Sequence, residues 1–495
     1  MAGDPHSNET VPLSETAAPS PSLVPRAATV FVWVLFTLSL GTLTLVVRGG
    51  QEWAFADAVV VDGLTTVVWV AVTFFSGIVH SYARRYMAGD RYRDAFYART
   101  VGFTLAVMTM TAADHVALFA LAWLAMGLLM AGLIGHDRDW TQARAAAQTA
   151  RRYFLASAGL LVAGLAVLAW ATGTATITGI LGQVETVAGP FALAAIACLV
   201  LAAMLQSALF PFHTWLLSSM TAPTPASALM HAGFVNAGGI LLTRFSPLLV
   251  DEPAVMSGVV LVGAFSALFG QALLLVQTDV KSKLGASTVA QMGFMILQCG
   301  LGFFAAAITH LVLHGFYKAY LFLSSGAAVE HTAPNQGGSK RLSAASVLVS
   351  LLTAVGGGAL FATLTGKGTK VDSGLFLAFV VVLTTMHASR DILQRATLAP
   401  AVRLVSTPLV VLTAIGGYAV AFNAVSTTIA GASVAEAPTE LTVVHVVAAA
   451  LFVAAYVATE FDWHRRSKRL YVALLNAAQP APDTLLTNKE DYDDA

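Results

Sequence analysis

The feature that most constrains this chain is the return of apolar runs of about 20 residues along almost its whole length, each enough to cross about 30 Å of hydrocarbon as a helix. Only 11% of the residues are charged and 57% are hydrophobic, whereas a soluble domain is roughly 25% charged. Runs near 28–47, 57–79, 99–112, 114–135, 154–172, 187–209, 224–243, 255–277, 285–301, 303–327, 344–364, 373–389, 406–423 and 441–460 give about 14 membrane spans. The predicted fold class is all-α, a polytopic membrane protein.

The formal net charge is zero, but the charges are segregated by loop. With alternating spans, one side holds Arg84, Arg85, Arg91, Arg93, Arg99, Arg138, Arg144, Arg151, Arg152, Lys281, Lys283, Lys340, Arg341, Arg390, Arg395, Arg403 and the basic cluster at 465–469. The other side holds Arg48, Arg244, Lys367 and Lys370. The positive-inside rule then places both termini in the cytoplasm. Residues 1–26, rich in Ser, Pro and Thr, read as a disordered cytoplasmic tail, too polar for a signal peptide. The transmembrane domain is expected over 27–462 and a cytoplasmic C-terminal tail over 463–495. Cys198 and Cys299 sit in apolar runs without a spacing partner and read as space-filling.

Two places interrupt the helical pattern. Phe210-Pro211-Phe212-His213-Thr214-Trp215 is followed by Ala222-Pro223-Thr224-Pro225. Gly356-Gly357-Gly358 is followed by Gly366 and Gly368. Both are expected discontinuities, because proline removes a backbone donor and glycine loosens a helix. Interrupted helices in two halves point to a transport site; the alternatives are a loop for the first and close helix packing for the second.

His310, His314 and Lys318 recur every fourth residue within the apolar run at 303–327, and so form one polar stripe on a helix. Ionisable groups at bilayer depth cost roughly 2.5–3.5 kcal/mol each on insertion scales, so three on one face point to a buried pathway, most simply for protons. Histidine can take or give a proton at either ring nitrogen, and burial penalises the charged form of lysine. A metal pair at His310 and His314 is disfavoured, because no third ligand and no intervening acid accompany it. Two satisfied core histidines remain an alternative. The stripe covers about 12 Å, less than half the hydrocarbon core, so other groups must complete a route. Lys281, Ser287 and Thr288 are candidates.

Longer motifs carry a family resemblance. The stretches Phe210–Leu216, Ala222–Ala232, Gln277–Lys281, Ala286–Gly293 and His310–Leu323, with His80-Ser81-Tyr82 upstream, are similar to the antiporter-like proton-pumping subunits of respiratory complex I and Mrp sodium/proton antiporters. The likeness covers roughly residues 55–400. It implies an antiporter-like fold with two inverted repeats and broken helices, in a bacterial cell (inner) membrane. It raises the standing of Lys281, which otherwise could simply snorkel at a helix end. It also suggests His231 as a channel group, against a plain packing hydrogen bond, and Lys367 as a terminal charged residue, although the sequence around Lys367 diverges.

The departures from the family are informative. The glutamate usual after the tryptophan is Leu124 here, and the partner lysine is Gln206. Losing both avoids leaving one buried charge unpaired. The sequence also lacks a long C-terminal extension after the 441–460 run. This combination resembles the DabB subunits of Dab-type inorganic-carbon transporters. That resemblance implies a DabA-like partner on the cytoplasmic side, itself similar to a zinc β-carbonic anhydrase, and a cation gradient of protons or sodium driving CO2/bicarbonate uptake. The rivals are a pumping subunit of a respiratory NADH:quinone oxidoreductase or Mrp antiporter, and a non-conducting scaffold. No cofactor, metal set, phosphate-binding loop or nucleic-acid-binding face is expected in the chain itself; Thr365-Gly366-Lys367-Gly368 lacks the spacing of a P-loop.

Overall fold

Proline-led helix starts and long apolar faces divide the chain into helices in the computed structural model, which describes residues 22–50, 52–183, 185, 189–326, 343–394, 399–432, 434, 436–461 and 463–484. α1 (Val24–Gly49) precedes an antiparallel hairpin of β1 (Trp53–Phe55) and β2 (Val59–Val61). Then come α2 (Gly63–Tyr86), α3 (Arg93–Ala112), α4 (Val116–Ile134), α5 (Thr141–Thr172) and the short α6 (Ile177–Leu181). α7 (Pro190–Gln206) leads into α8 (Thr214–Ser218), α9 (Thr224–Ala232), α10 (Ala237–Arg244) and α11 (Ser246–Val250). The second half holds α12 (Pro253–Leu274), α13 (Val280–Gly300), α14 (Phe304–Leu323), α15 (Ala344–Thr365), α16 (Ser373–Gln394), α17 (Pro400–Ile429) and α18 (Val443–Glu460). α19 (Trp463–Arg466) and α20 (Lys468–Ala477) follow.

Each apolar run falls on one of these helices, with α9 and α10 sharing 224–243. Among the described residues, 10 spans are long and apolar enough to cross a membrane. α3, α7, α13 and α14 complete the set: α7 is shorter, and the other three carry polar stripes that lower their hydropathy. The hairpin takes the first residues of the 57–79 run out of the helix. Residues 59–61 pair as a strand, and Asp62 then caps α2 by accepting from Thr65 N–H. Lys340, Arg341, Arg395, residues 1–21 of the expected N-terminal tail and 485–495 of the expected C-terminal tail lie outside the described residues.

The expected interruption at 210–225 is present: five-residue α8 and a 3-10 turn at Ser219–Thr221 separate α7 from α9. A second break follows at Gly233 and the 3-10 turn Phe234–Asn236, directly after His231. The expected break at 356–358 does not occur. α15 runs through those glycines and ends at Gly366, in the left-handed region. Here the glycines serve packing: a Cβ on Gly358 would lie 2.4 Å from Val382 Cγ2, and one on Gly357 would lie 2.7 Å from Ile415 Cδ1.

α12 and α13 form the tightest seam. A Cβ on Gly270 or Gly293 would sit 2.3 Å from the backbone nitrogen of Ala290 or Ala267, respectively. Small residues that admit this approach are how membrane helices gain dispersion contact. With one face of α13 locked against α12, a neighbouring face bearing Ser287 and Phe294 meets α14, which carries the polar stripe.

Candidate functional site

α14 presents His310, His314 and Lys318 along one face, and α13 presents Ser287, Gln291 and Gln298 along one of its own. The two helices are joined by a tight turn at 301–303 and run antiparallel, so the stripes meet at the Lys318 end. Lys318 is fully buried. Its Nζ donates to the Leu284 carbonyl at 2.8 Å and to Ser287 Oγ. Among the described residues no carboxylate pairs with it.

The two histidines are short of partners. His314 is 5% exposed, and neither ring nitrogen makes a hydrogen bond. His310 Nε2 is also unpaired. The rings lie 5.7 Å apart and 27° from parallel, with Phe294 5.6 Å from His310 on the other side. Buried polar atoms normally find partners. These unpaired nitrogens follow one another along α14 toward Lys318.

His231, on α9 before the Gly233 break, joins the same cluster. Its Nδ1 lies 2.9 Å from Thr288 Oγ1, and the Thr288 hydroxyl donates to the Leu284 carbonyl at 2.8 Å. With that hydroxyl's single proton on the Leu284 carbonyl, the tautomer that completes the contact is the one with hydrogen on Nδ1. This leaves the Nε2 lone pair buried and unpartnered. The ring stacks on Phe322 at 4.4 Å. Lys318 and, through Thr288, His231 thus converge on one carbonyl, that of Leu284.

Lys281 lies at the same end of the bundle, where its Nζ donates to the carbonyls of Ala222 (3.0 Å) and Met220 (3.4 Å) at the proline-rich break. The structure therefore brings Lys281, Ser287, Thr288, His231, Lys318, His314 and His310 into neighbouring positions. Lys367 stands apart, in the loop after α15, near the opposite end of α14. Its Nζ is 3.4 Å from Glu436 Oε2 and 3.7 Å from the centre of the Phe303 ring.

In the first half, Gln206 ends α7 fully buried, with neither side-chain Oε1 nor Nε2 hydrogen-bonded. Leu124 is half-buried on α4. A separate buried network joins His80 to Ser76 O (2.7 Å) and Thr100 Oγ1 (3.1 Å), and Ser76 to Thr104 (2.6 Å). Gln298 and Glu436 escaped the sequence reading. The spacing of Ser287, Gln291 and Gln298 is a helical-face signal that could have flagged Gln298. No local pattern marks Glu436, whose partners lie far away in sequence.

Residues 113–364, just over half of the chain, match the family described as NADH:quinone oxidoreductase/Mrp antiporter, TM. Residues 52–97 match NADH-Ubiquinone oxidoreductase (complex I), chain 5 N-terminus. The chain is 36% identical over 324 residues to a probable inorganic carbon transporter subunit DabB1 of Halothiobacillus neapolitanus, covering 61% of this chain and 58% of that one. It is 38% identical over 323 residues to the probable subunit DabB of Bacillus subtilis, covering 64% and 63%. NAD(P)H-quinone oxidoreductase chain 5 of Synechocystis is 32% identical over 295 residues, covering 56% and 43%. The chain spans less than two thirds of the length of each of these relatives. A chain of the Mrp complex from Dietzia shares the fold, with a TM-score of 0.55 at 24% identity over 92% of this chain and 50% of that one.

Proposed function

Because this chain belongs to the NADH:quinone oxidoreductase/Mrp antiporter family, we propose that it is the ion-conducting membrane subunit of an inorganic-carbon uptake system. The likeness to DabB subunits supports the cargo, CO2 or bicarbonate. In this reading a DabA-like subunit, similar to a zinc carbonic anhydrase, docks on the arginine-rich cytoplasmic end and carries out the carbon chemistry. The chain itself supplies a downhill route for protons or sodium. Both termini lie on the cytoplasmic side of a bacterial inner membrane, in keeping with the loop charge.

The observation that carries the reading is Lys318: a buried lysine that, among the described residues, has no carboxylate partner, on one stripe with His314, whose two ring nitrogens are unsatisfied, and His310, whose Nε2 is unsatisfied. A structural lysine would be expected to pair, since an isolated buried charge is costly. For a proton, the route runs along α14. A proton taken up by His310 leaves from the opposite ring nitrogen, through water, to His314, and then to the neutral amine of Lys318. Ser287 Oγ, the Leu284 carbonyl and Lys281 line the way on to the cytoplasmic end, with Thr288 holding His231 beside it. Each step moves one proton; each histidine ring is left as its other tautomer and turns over before it reloads. With Leu124 and Gln206 in place of the family's ion pair, conduction is concentrated in the second half.

His314→Ala and Lys318→Met test this. In the assembled complex, uptake of labelled inorganic carbon should fall by about 10²-fold or more, on the scale of removing a proton-transfer group. Two variants that assemble and transport at wild-type rates would favour a scaffold and sink the conduction reading. A second reading, a pumping subunit of a respiratory complex, draws on the likeness to chain 5 of NAD(P)H-quinone oxidoreductase. Co-purification decides between the two: a large zinc-containing soluble partner supports carbon uptake, and other oxidoreductase subunits support respiration.

A further inference from the structure

The end of α14 remote from Lys318 is built around one carboxylate. Glu436, between α17 and α18, accepts a hydrogen bond at Oε1 from the backbone N–H of Ala305 in the first turn of α14. Its Oε2 faces Lys367 Nζ at 3.4 Å. Backbone packing holds it there. Gly302 has φ +79°, and a Cβ at that position would lie 1.8 Å from the Ala437 carbonyl oxygen, so only glycine admits this approach. Ser373 ties the same segments together, donating to the Leu301 carbonyl at 2.7 Å and accepting from Thr439 N–H at 3.0 Å.

The pair straddles the edge of the packed interior. The Lys367 side chain is 9% exposed and that of Glu436 33%. The ammonium lies against Phe303 and, at 4.7 Å, Phe422. Polar groups continue inward from there. Phe422 stacks with Tyr418, and the Tyr418 hydroxyl interacts with the buried side chain of Gln298, whose Oε1 has no hydrogen bond. Gln298 is one helical turn from Phe294, the residue that touches His310. The other titratable groups in electrostatic reach are Asp372, which acts on Lys367, and Tyr418 and Cys299, which feel Glu436.

We propose that Glu436 is the cation-accepting site at the outer end of the path, with Lys367 as the internal cation that competes for it. The assignment rests on the conduction reading above. An arriving proton bonds to Glu436 Oε2, or an arriving sodium ion takes the carboxylate oxygens. Either way the ammonium loses its partner and the site passes from paired to loaded, with no bond otherwise broken and nothing oxidised or reduced.

Glu436→Gln keeps an oxygen to accept from Ala305 N–H and removes only the charge. It should lower the heat stability of the purified complex to some extent, because it strands the Lys367 ammonium, while raising the outside cation concentration for half-maximal uptake by about tenfold, the loss expected for a charge-assisted contact. Lys367→Met removes the competitor and should shift that concentration the opposite way. A merely structural pair would lower stability and leave the cation dependence alone in both variants. Titrating outside sodium at fixed pH, and then pH at fixed sodium, tells which ion loads the site. If both variants keep wild-type cation dependence while Lys318→Met is inactive, the Glu436 assignment is overturned and the path stands. If Lys318→Met is also fully active, the conduction reading has failed as well. Should Glu436→Gln fail to accumulate, Lys367→Met decides alone: an unchanged cation dependence overturns the assignment.

Discussion

Asp62 caps the start of α2 and at the same time pairs with Arg244 at the end of α10, from which it is separated by 182 positions. Arg244 also donates to the Thr111 carbonyl at 3.0 Å, so both charges are buried and satisfied. Lys318 is buried as deeply, but its ammonium donates to a carbonyl and a hydroxyl and, among the described residues, pairs with no carboxylate. That contrast separates a clasp from a carrier: the first is fixed by an opposite charge, and the second is left free to change protonation. Asp62→Ala should therefore destabilise the fold by about 3–5 kcal/mol through the stranded guanidinium, and adding Arg244→Met should recover much of that loss. Thermal unfolding of the purified protein checks both. The charges themselves were legible in the sequence, where Arg244 stood among the few basic residues of the far side. Their pairing was not, because a partner across the fold leaves no local pattern.

Helix breaks and helix seams show how one residue type serves two ends. At Gly233 the chain leaves helical geometry, and the break follows His231 by two positions. At 356–358 the same residue type supports an unbroken helix, because neighbouring side chains occupy the space a Cβ would take. Sequence alone marks glycine as permissive; whether the permission is used for bending or for contact depends on what lies opposite. The α12–α13 seam is the stronger case of contact. Gly293→Val would force backbone against backbone near Ala267, where no flexible side chain can yield. We expect misassembly or a fall in melting temperature larger than for Gly416→Val, where nothing lies within 4 Å of the added carbon. Because α13 carries Ser287 and Thr288, loss of this seam should also disturb the hydrogen bonds to Lys318 and His231.

Across the whole molecule, the far end of the chain returns to the proline-rich break. The Ala477 carbonyl lies 3.2 Å from His213 Nε2, the Ala478 carbonyl accepts from Gln277, and Ala481 N–H donates to Ser218 Oγ. Ala478 packs with Leu217, Leu273 and Val276. Truncation after residue 462 should thus leave insertion intact but lower the melting temperature, read by size-exclusion chromatography after a heat step; an unchanged profile would show that the strap adds nothing. By itself the sequence determined the class, the number of apolar segments, the stripe on α14 and the family, because hydrophobic length, helical periodicity and motif spacing are local properties. Tertiary structure decided which groups are paired and which are left wanting. It brought Lys318 to the Leu284 carbonyl and His231 to Thr288 beside it, set Glu436 on the start of α14, and kept α15 straight. Those outcomes depend on contacts between segments far apart in the chain, where packing geometry chooses among partners that local pattern cannot rank.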